Sequence, residues 1–244
     1  MDSSKDANII IMTSGLAGSS VLTSLIARAG YWLGENTFKK RDYDTYENTE
    51  LIKLNLRLIE ESDFKSNYTM VFDSDVIDSI GALYQKVDKV PYENFIKKCN
   101  DNRPWVWKDP RLWLTIRFWS NLVNLNDCRF ILLNRDPLQN WISSTLRRMI
   151  QSYNYNKSYN MLVNNSIKTF FKTHNIEYLY ILYEDLLLHP EETIGRLNSF
   201  LNSNLTIEDL RTVYNGQLYK KSKTYFDLLK AIMVYIKNYP QRYK

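Results

Sequence analysis

Four short groups of residues in this sequence could do chemistry on an anion. The first is the SGLAGSS stretch at 14–20, behind a β-branched apolar run at 8–13 (NIIIMT) and ahead of Val21, Leu22, Leu25 and Ile26 at helical spacing. A strand, a glycine-bearing turn and a helix start present backbone N–H groups to an anion, and the helix dipole adds to the attraction. Gly15, Ala17 and Gly18 would form that backbone cradle, and Ser19 and Ser20 would add hydroxyl donors. An ordinary serine-capped turn would use the same residues. The loop is not G-x-x-x-x-G-K-[ST]: Gly15 and Gly18 stand too close and no lysine follows Gly18. An ATP- or GTP-hydrolysing enzyme or a P-loop kinase is therefore disfavoured.

The second group is Arg135, at the end of a strand-like run at 129–134 (RFILLN), with Ser143 about two helical turns further on. At the carboxyl end of a buried strand, a guanidinium can grip a phosphate through two parallel hydrogen bonds. It can equally cap the strand end. The third is Trp107-Lys108-Asp109-Pro110-Arg111. Lys108 and Arg111 are cations that a donor with several negative charges would need, above all at a departing phosphate. A salt-bridged turn around Pro110 is the alternative. The fourth is Tyr183-Glu184-Asp185-Leu186, followed by Pro190, at the end of a strand candidate at 178–183 (YLYILY). Tyr183 could pack against a base or simply close the sheet.

Strands at 8–13, 105–107, 129–134 and 178–183 must position these groups. Helices are expected at 21–29, 51–61, 76–86, 92–99, 112–122, 138–150, 161–173 and 191–200, with a loop at 151–160 (QSYNYNKSYN). Strands alternating with helices predict an α/β fold with a mainly parallel central sheet flanked by helices, in a single domain over 1–244. The 244 residues are 44% hydrophobic and 24% charged, with a net charge of +5, which suits an anionic ligand. The basic residues are dispersed, which disfavours nucleic acid as a partner. Asn is abundant, as biased genome composition alone would produce. Two Cys without metal spacing and two His, His174 and His189, imply no metal. No stretch reaches the ~18 apolar residues of a membrane span, and the N-terminus is not a signal peptide, so a cytoplasmic protein without a membrane partner is expected.

Taken together and in this order, the four groups resemble the PAPS-dependent sulfotransferase family, in particular its bacterial branch, over residues 8–201. The resemblance implies a P-loop-like fold and PAPS (3′-phosphoadenosine 5′-phosphosulfate) as co-substrate, released as adenosine 3′,5′-bisphosphate. Arg135 and Ser143 resemble the family's 3′-phosphate element, and 14–20 its phosphosulfate loop. Lys108 to Arg111 is similar to its Lys-Asp-Pro-Arg segment, and Tyr183 to the tyrosine it keeps near the adenine. The loop departs from the pattern at Leu16, where the family usually carries Lys or Arg. Lys108, Lys39 or Lys40 would have to supply that charge. Glu47 stands where several branches place a catalytic glutamate, with Asp109 and Glu35 as competitors. The acceptor, a small molecule or carbohydrate, would be chosen by residues 35–102 and 150–175, whose aromatics include Tyr43, Tyr46, Tyr153 and Tyr155. The oligomeric state is open. A nucleotide-binding protein without transferase activity is the rival reading.

Overall fold

The apolar runs of the sequence become parallel strands packed on both faces. The computed structural model describes residues 7–243. In chain order the elements are β1 (Asn8–Met12), α1 (Ser19–Arg28), β2 (Thr37–Lys39), β3 (Asp44–Asn48), α2 (Thr49–Glu61), α3 (Ser74–Ala82), α4 (Val90–Asp101), β4 (Val106–Lys108), α5 (Leu112–Trp119), β5 (Cys128–Asn134), α6 (Pro137–Leu146), α7 (Tyr153–Thr173), β6 (Tyr178–Leu182), α8 (Tyr183–Leu188), α9 (Pro190–Leu201), α10 (Ile207–Val213) and α11 (Tyr225–Lys237). The sheet order is β4-β1-β5-β6, all parallel, and β2 and β3 form a separate antiparallel hairpin.

Side chains alternate across a strand, so each strand feeds two cores. Ile10, Met12, Phe130 and Leu132 point into one, with side chains from α2, α3, α4, α5 and α7. Ile9, Ile11, Val106, Ile131 and Leu133 point into the other, under α1, α8, α9 and α10. Burial of both faces explains why β1 and β5 read as unbroken apolar runs. Trp105, just ahead of β4, and Trp107 within it stack with ring centroids 4.5 Å apart. Phe95 and Trp119 close around Trp107, at 5.5 and 5.1 Å.

The sequence-based expectation of a loop at 151–160 is corrected: this stretch opens α7, a helix of 21 residues capped by Ser152, whose Oγ accepts from Tyr155 N. Its inward face carries Asn156, Tyr159 and Asn160 where an apolar pattern would have revealed it. Asn156 and Asn160 are satisfied by hydrogen bonds, and Tyr159 packs in the core with its hydroxyl donated to the Tyr68 carbonyl. The hairpin of β2 and β3 was not foreseen. Its register shifts between Thr37 and Lys39, and it is too polar to show strand alternation. Among the described residues no helix is long and apolar enough to cross a membrane.

Candidate active site

Because β1, β4, β5 and β6 run parallel, their carboxyl ends meet at one edge of the sheet. Chain connections diverge from β1 to β4 on one side and β5 on the other, the topology at which open α/β sheets bind ligands. That edge delivers the 14–18 loop, Lys108, Arg135 and Tyr183 to one cavity of ≈ 770 Å³. The hairpin of β2 and β3 closes a side of it with Lys40, Tyr43, Tyr46 and Glu47.

Lys108 is 2% exposed and Glu47 12%, and they meet at 2.6 Å between Nζ and Oε1. Lys108 Nζ also donates to the Thr45 carbonyl at 3.0 Å. The two side chains that sequence reasoning named as leaving-group cation and base are thus in contact across 61 positions of chain. The other two acids lie elsewhere. Asp109 is buried away from the cavity wall: Oδ2 accepts from Asn55 Nδ2 at 3.0 Å, and Oδ1 from the backbone N and Nη1 of Arg111, both at 2.9 Å. Asn55 in turn accepts from Trp119 Nε1 at 2.7 Å, so Asp109 ties α2 and α5 to the turn that carries Arg111. Arg111 itself lines the cavity, over the Tyr68 ring at 5.2 Å. Glu35 pairs with Lys98 at 3.2 Å and is well exposed.

Another part of the cavity wall is built on Arg135. Its Nη1 donates to the Leu16 carbonyl at 2.9 Å and to Ser143 Oγ at 3.2 Å, and its Nη2 to Ser222. The guanidinium lies 5.2 Å from the Tyr183 ring centre. Its Nε faces Glu184 Oε1 at 3.4 Å without hydrogen-bond geometry, while Glu184 Oε2 accepts from Asp136 N at 2.8 Å. Burial lowers the Arg135 pKa and raises that of Glu184, each opposing the attraction between them. Burial also pushes the Tyr183 hydroxyl well up.

Gly18 caps α1 in the left-handed region, with φ 75° and no side-chain cap. A Cβ there would lie 2.2 Å from the Tyr183 ring, so only glycine lets loop and ring approach. Leu16 is also left-handed, at φ 52°, held by Arg135 on its carbonyl. Gly15, Ser19 and Ser20 line the cavity, whereas the Ala17 side chain turns into the core beneath.

Several wall residues escaped sequence reasoning. Asn140 Nδ2 donates to the Gly15 carbonyl at 3.2 Å, and Ser14 Oγ to Asn160 Oδ1 at 2.5 Å. Asn160 Nδ2 bonds Asn140 Oδ1 and the Asn156 carbonyl, at 3.3 and 2.7 Å. Amides on α6 and α7 therefore hold the loop without a charge. The four-residue spacing of Asn140 and Ser144, and of Asn156 and Asn160, was the available signal. Arg147, one turn beyond Ser143, donates to the Tyr43 hydroxyl at 2.7 Å, and Lys223 enters on a loop pinned by Gln139 at 2.9 Å. Burial lowers the Lys223 pKa. Of the cations considered as substitutes for one at Leu16, Lys108 and Lys40 line the cavity and Lys39 does not. Tyr43 and Tyr46 line it too, while Tyr153 packs edge-on against Trp141 and Tyr155 against the core.

The parallel α/β sheet thus carries a glycine-capped loop after β1, a paired lysine at β4 and a serine-backed arginine after β5, all at its carboxyl edge, where open α/β sheets bind ligands. The sulfotransferase family profile matches residues 30–207, and the chain belongs to that family. Two solved structures are similar in fold. The sulfotransferase domain from the Synechococcus PCC 7002 olefin synthase is 18% identical, over 91% of this chain and 82% of that one, with a TM-score of 0.51. The sulfotransferase domain from the curacin biosynthetic pathway is also 18% identical, over 89% and 81%, with the same TM-score. Among curated proteins no sequence matches this one.

Proposed function

We propose that this chain moves a sulfonate group from PAPS to a hydroxyl or amine of a small-molecule or carbohydrate acceptor. The observation that carries the reading is the 2.6 Å contact of Lys108 with Glu47 in the cavity that the 14–20 loop and the Arg135–Ser143 pair also line. The residues fit a nucleotide with an anion at each end. At one end Gly18 provides no side-chain cap, and the hydroxyls of Ser19 and Ser20 have no partner among the described residues, which leaves first-turn donors free for the 5′-phosphosulfate. Behind the loop, Arg135 and Ser143, with Lys223 on the same wall, suit the 3′-phosphate. Tyr183, between Gly18 and Arg135, supports both ends.

In the transfer, a bond forms between the acceptor atom and sulfur as the bond from sulfur to the bridging oxygen breaks. Lys108 neutralises the negative charge growing on the departing phosphate oxygen, and Glu47 takes the acceptor proton. Turning Lys108 toward that oxygen frees the carboxylate with which it is paired. Asp109 acts through Arg111, as a positioning residue.

Titration of adenosine 3′,5′-bisphosphate into the protein tests the donor site. Micromolar-range binding, weakened at least ~tenfold in Arg135→Ala, is expected for a lost bidentate charge contact. No binding by the wild type sinks the reading. The Leu16 side chain where a cation is usual favours the second reading, nucleotide binding without turnover. Bisphosphate binding with no label transferred from PAPS across an acceptor panel would select it.

A further inference from the structure

Charge and apolar surface are segregated at the C-terminal end of the chain. Residues 214–243 carry six cations, Lys220, Lys221, Lys223, Lys230, Lys237 and Arg242, and one acid, Asp227. Taken from totals of 32 and 27, that leaves 26 cations and 26 acids in the remaining 214 residues, so this segment holds the whole net charge of +5. The single acid is occupied: its carboxylate accepts from the backbone N and hydroxyl of Thr224, at 2.9 and 3.1 Å, closing the capping box of α11.

The same segment carries the most exposed large apolar side chains. Phe226 is 81% exposed, Tyr225 70%, Ile236 66% and Met233 64%, with Leu229 and Ile232 between them. At 100° per residue these fall on one arc of α11. Ala231, Leu228 and Tyr235 occupy the opposite arc and pack on Trp141, Ile142 and Leu146 of α6. Lys230 and Lys237 border the apolar arc along one edge. Nothing among the described residues covers it.

We propose that α11 docks this protein on an anionic lipid surface, its apolar arc in the headgroup boundary and its lysines on the lipid phosphates. Charge complementarity selects this occupant. A second copy packed across a two-fold axis would bring the same lysines to the interface with no acid of the segment to meet them. An apolar arc bordered by lysines is the pattern of a helix lying in the membrane plane. Thirteen residues span about 20 Å, short of the ~30 Å hydrocarbon core, so the helix lies on the surface and does not cross it. The loop leading into α11 supplies Tyr214, Ser222 and Lys223 to the cavity wall, so docking holds that wall beside the headgroup layer.

The test is flotation of the full chain with vesicles of phosphatidylcholine, alone or with roughly one third phosphatidylserine, at low and high salt. Binding to the serine-lipid vesicles that high salt reverses, and none to the neutral ones, is expected. Phe226→Ser with Ile236→Ser, and separately Lys230→Glu with Lys237→Glu, should each lower the bound fraction at least ~tenfold. The unfolding midpoint and bisphosphate affinity should be unchanged in both. Absence of binding to the anionic vesicles, or binding unaltered in both variants, overturns the proposal. A dimer in light scattering that the Phe226→Ser, Ile236→Ser variant converts to monomer also overturns it, and assigns the face to a second copy.

Discussion

Lys108 is buried at the end of β4, where an ammonium without an acceptor would be costly, and it has both a carbonyl and a carboxylate. Glu47→Gln keeps the shape of that contact and removes the charge. It should lower kcat by about 10²–10⁴-fold, the contribution typical of a general base, while bisphosphate affinity changes little. Steady-state kinetics beside titration separates the two. Asn55 makes the contrasting case. Its amide joins the Asp109 carboxylate to the Trp119 indole, and Asn55→Leu orphans both. A loss of about 2–4 kcal/mol in urea unfolding is expected, with some loss of turnover through Arg111. The meeting of Glu47 and Lys108 was not legible in their spacing, because 61 residues separate them and neither lies in an amphipathic pattern that betrays its inward face. Resemblance alone singled out Glu47.

Gly18 shows how an element boundary can be fixed by one atom's absence. Gly18→Ala places a Cβ 2.2 Å from the Tyr183 ring and strains a left-handed residue. The backbone strain alone costs about 1–3 kcal/mol, and displacement of Tyr183 from Arg135 should abolish bisphosphate binding, checked by unfolding and titration. Another joint titrates. Arg28 of α1 and the Thr206 cap of α10 hold the Asp209 carboxyl down to about 2, against an ordinary 3.8. A depressed carboxylate contributes stability above its unfolded pKa and loses it as pH falls through the folded one. Stability should therefore decline between about pH 4 and 2 with a component that Asp209→Asn lacks, measured by urea unfolding across that window. Elements with apolar periodicity were legible: β1, β5, α2 and α9 lie within a few residues of where hydrophobic spacing puts them. The start of α7 was hidden because two of its inward side chains are Asn156 and Asn160, whose partners come from α6 and the 14–18 loop. The hairpin of β2 and β3 was hidden for a similar reason. Thr37, Asp44 and Thr45 hold it by side-chain hydrogen bonds that leave no periodic trace.

Strands alternating with helices were enough to read the α/β architecture, and each of the four motifs sits where a parallel strand ends. Surface character was read less well. The tail at 206–244 reads as helix-prone and basic, but only when acids are counted beside the cations does 214–243 prove to hold the whole net charge. For the molecule in solution, a bisphosphate at 100 times its Kd should add about 2.7 kcal/mol, raising the thermal midpoint by ~5–10 °C in wild type and not in Arg135→Ala. The stacked indoles bear on how such transitions are observed. Trp105 and Trp107 lie close enough for their electronic transitions to couple, with Trp119 edge-on to Trp107. Circular dichroism should therefore show an exciton pair from the β4 side of the sheet, lost in Trp105→Phe. Trp141, edge-on to Tyr235 of α11, sits apart from that cluster. The protein thus carries two separable optical reporters, one for the unfolding of its core and one for the helix on its flank.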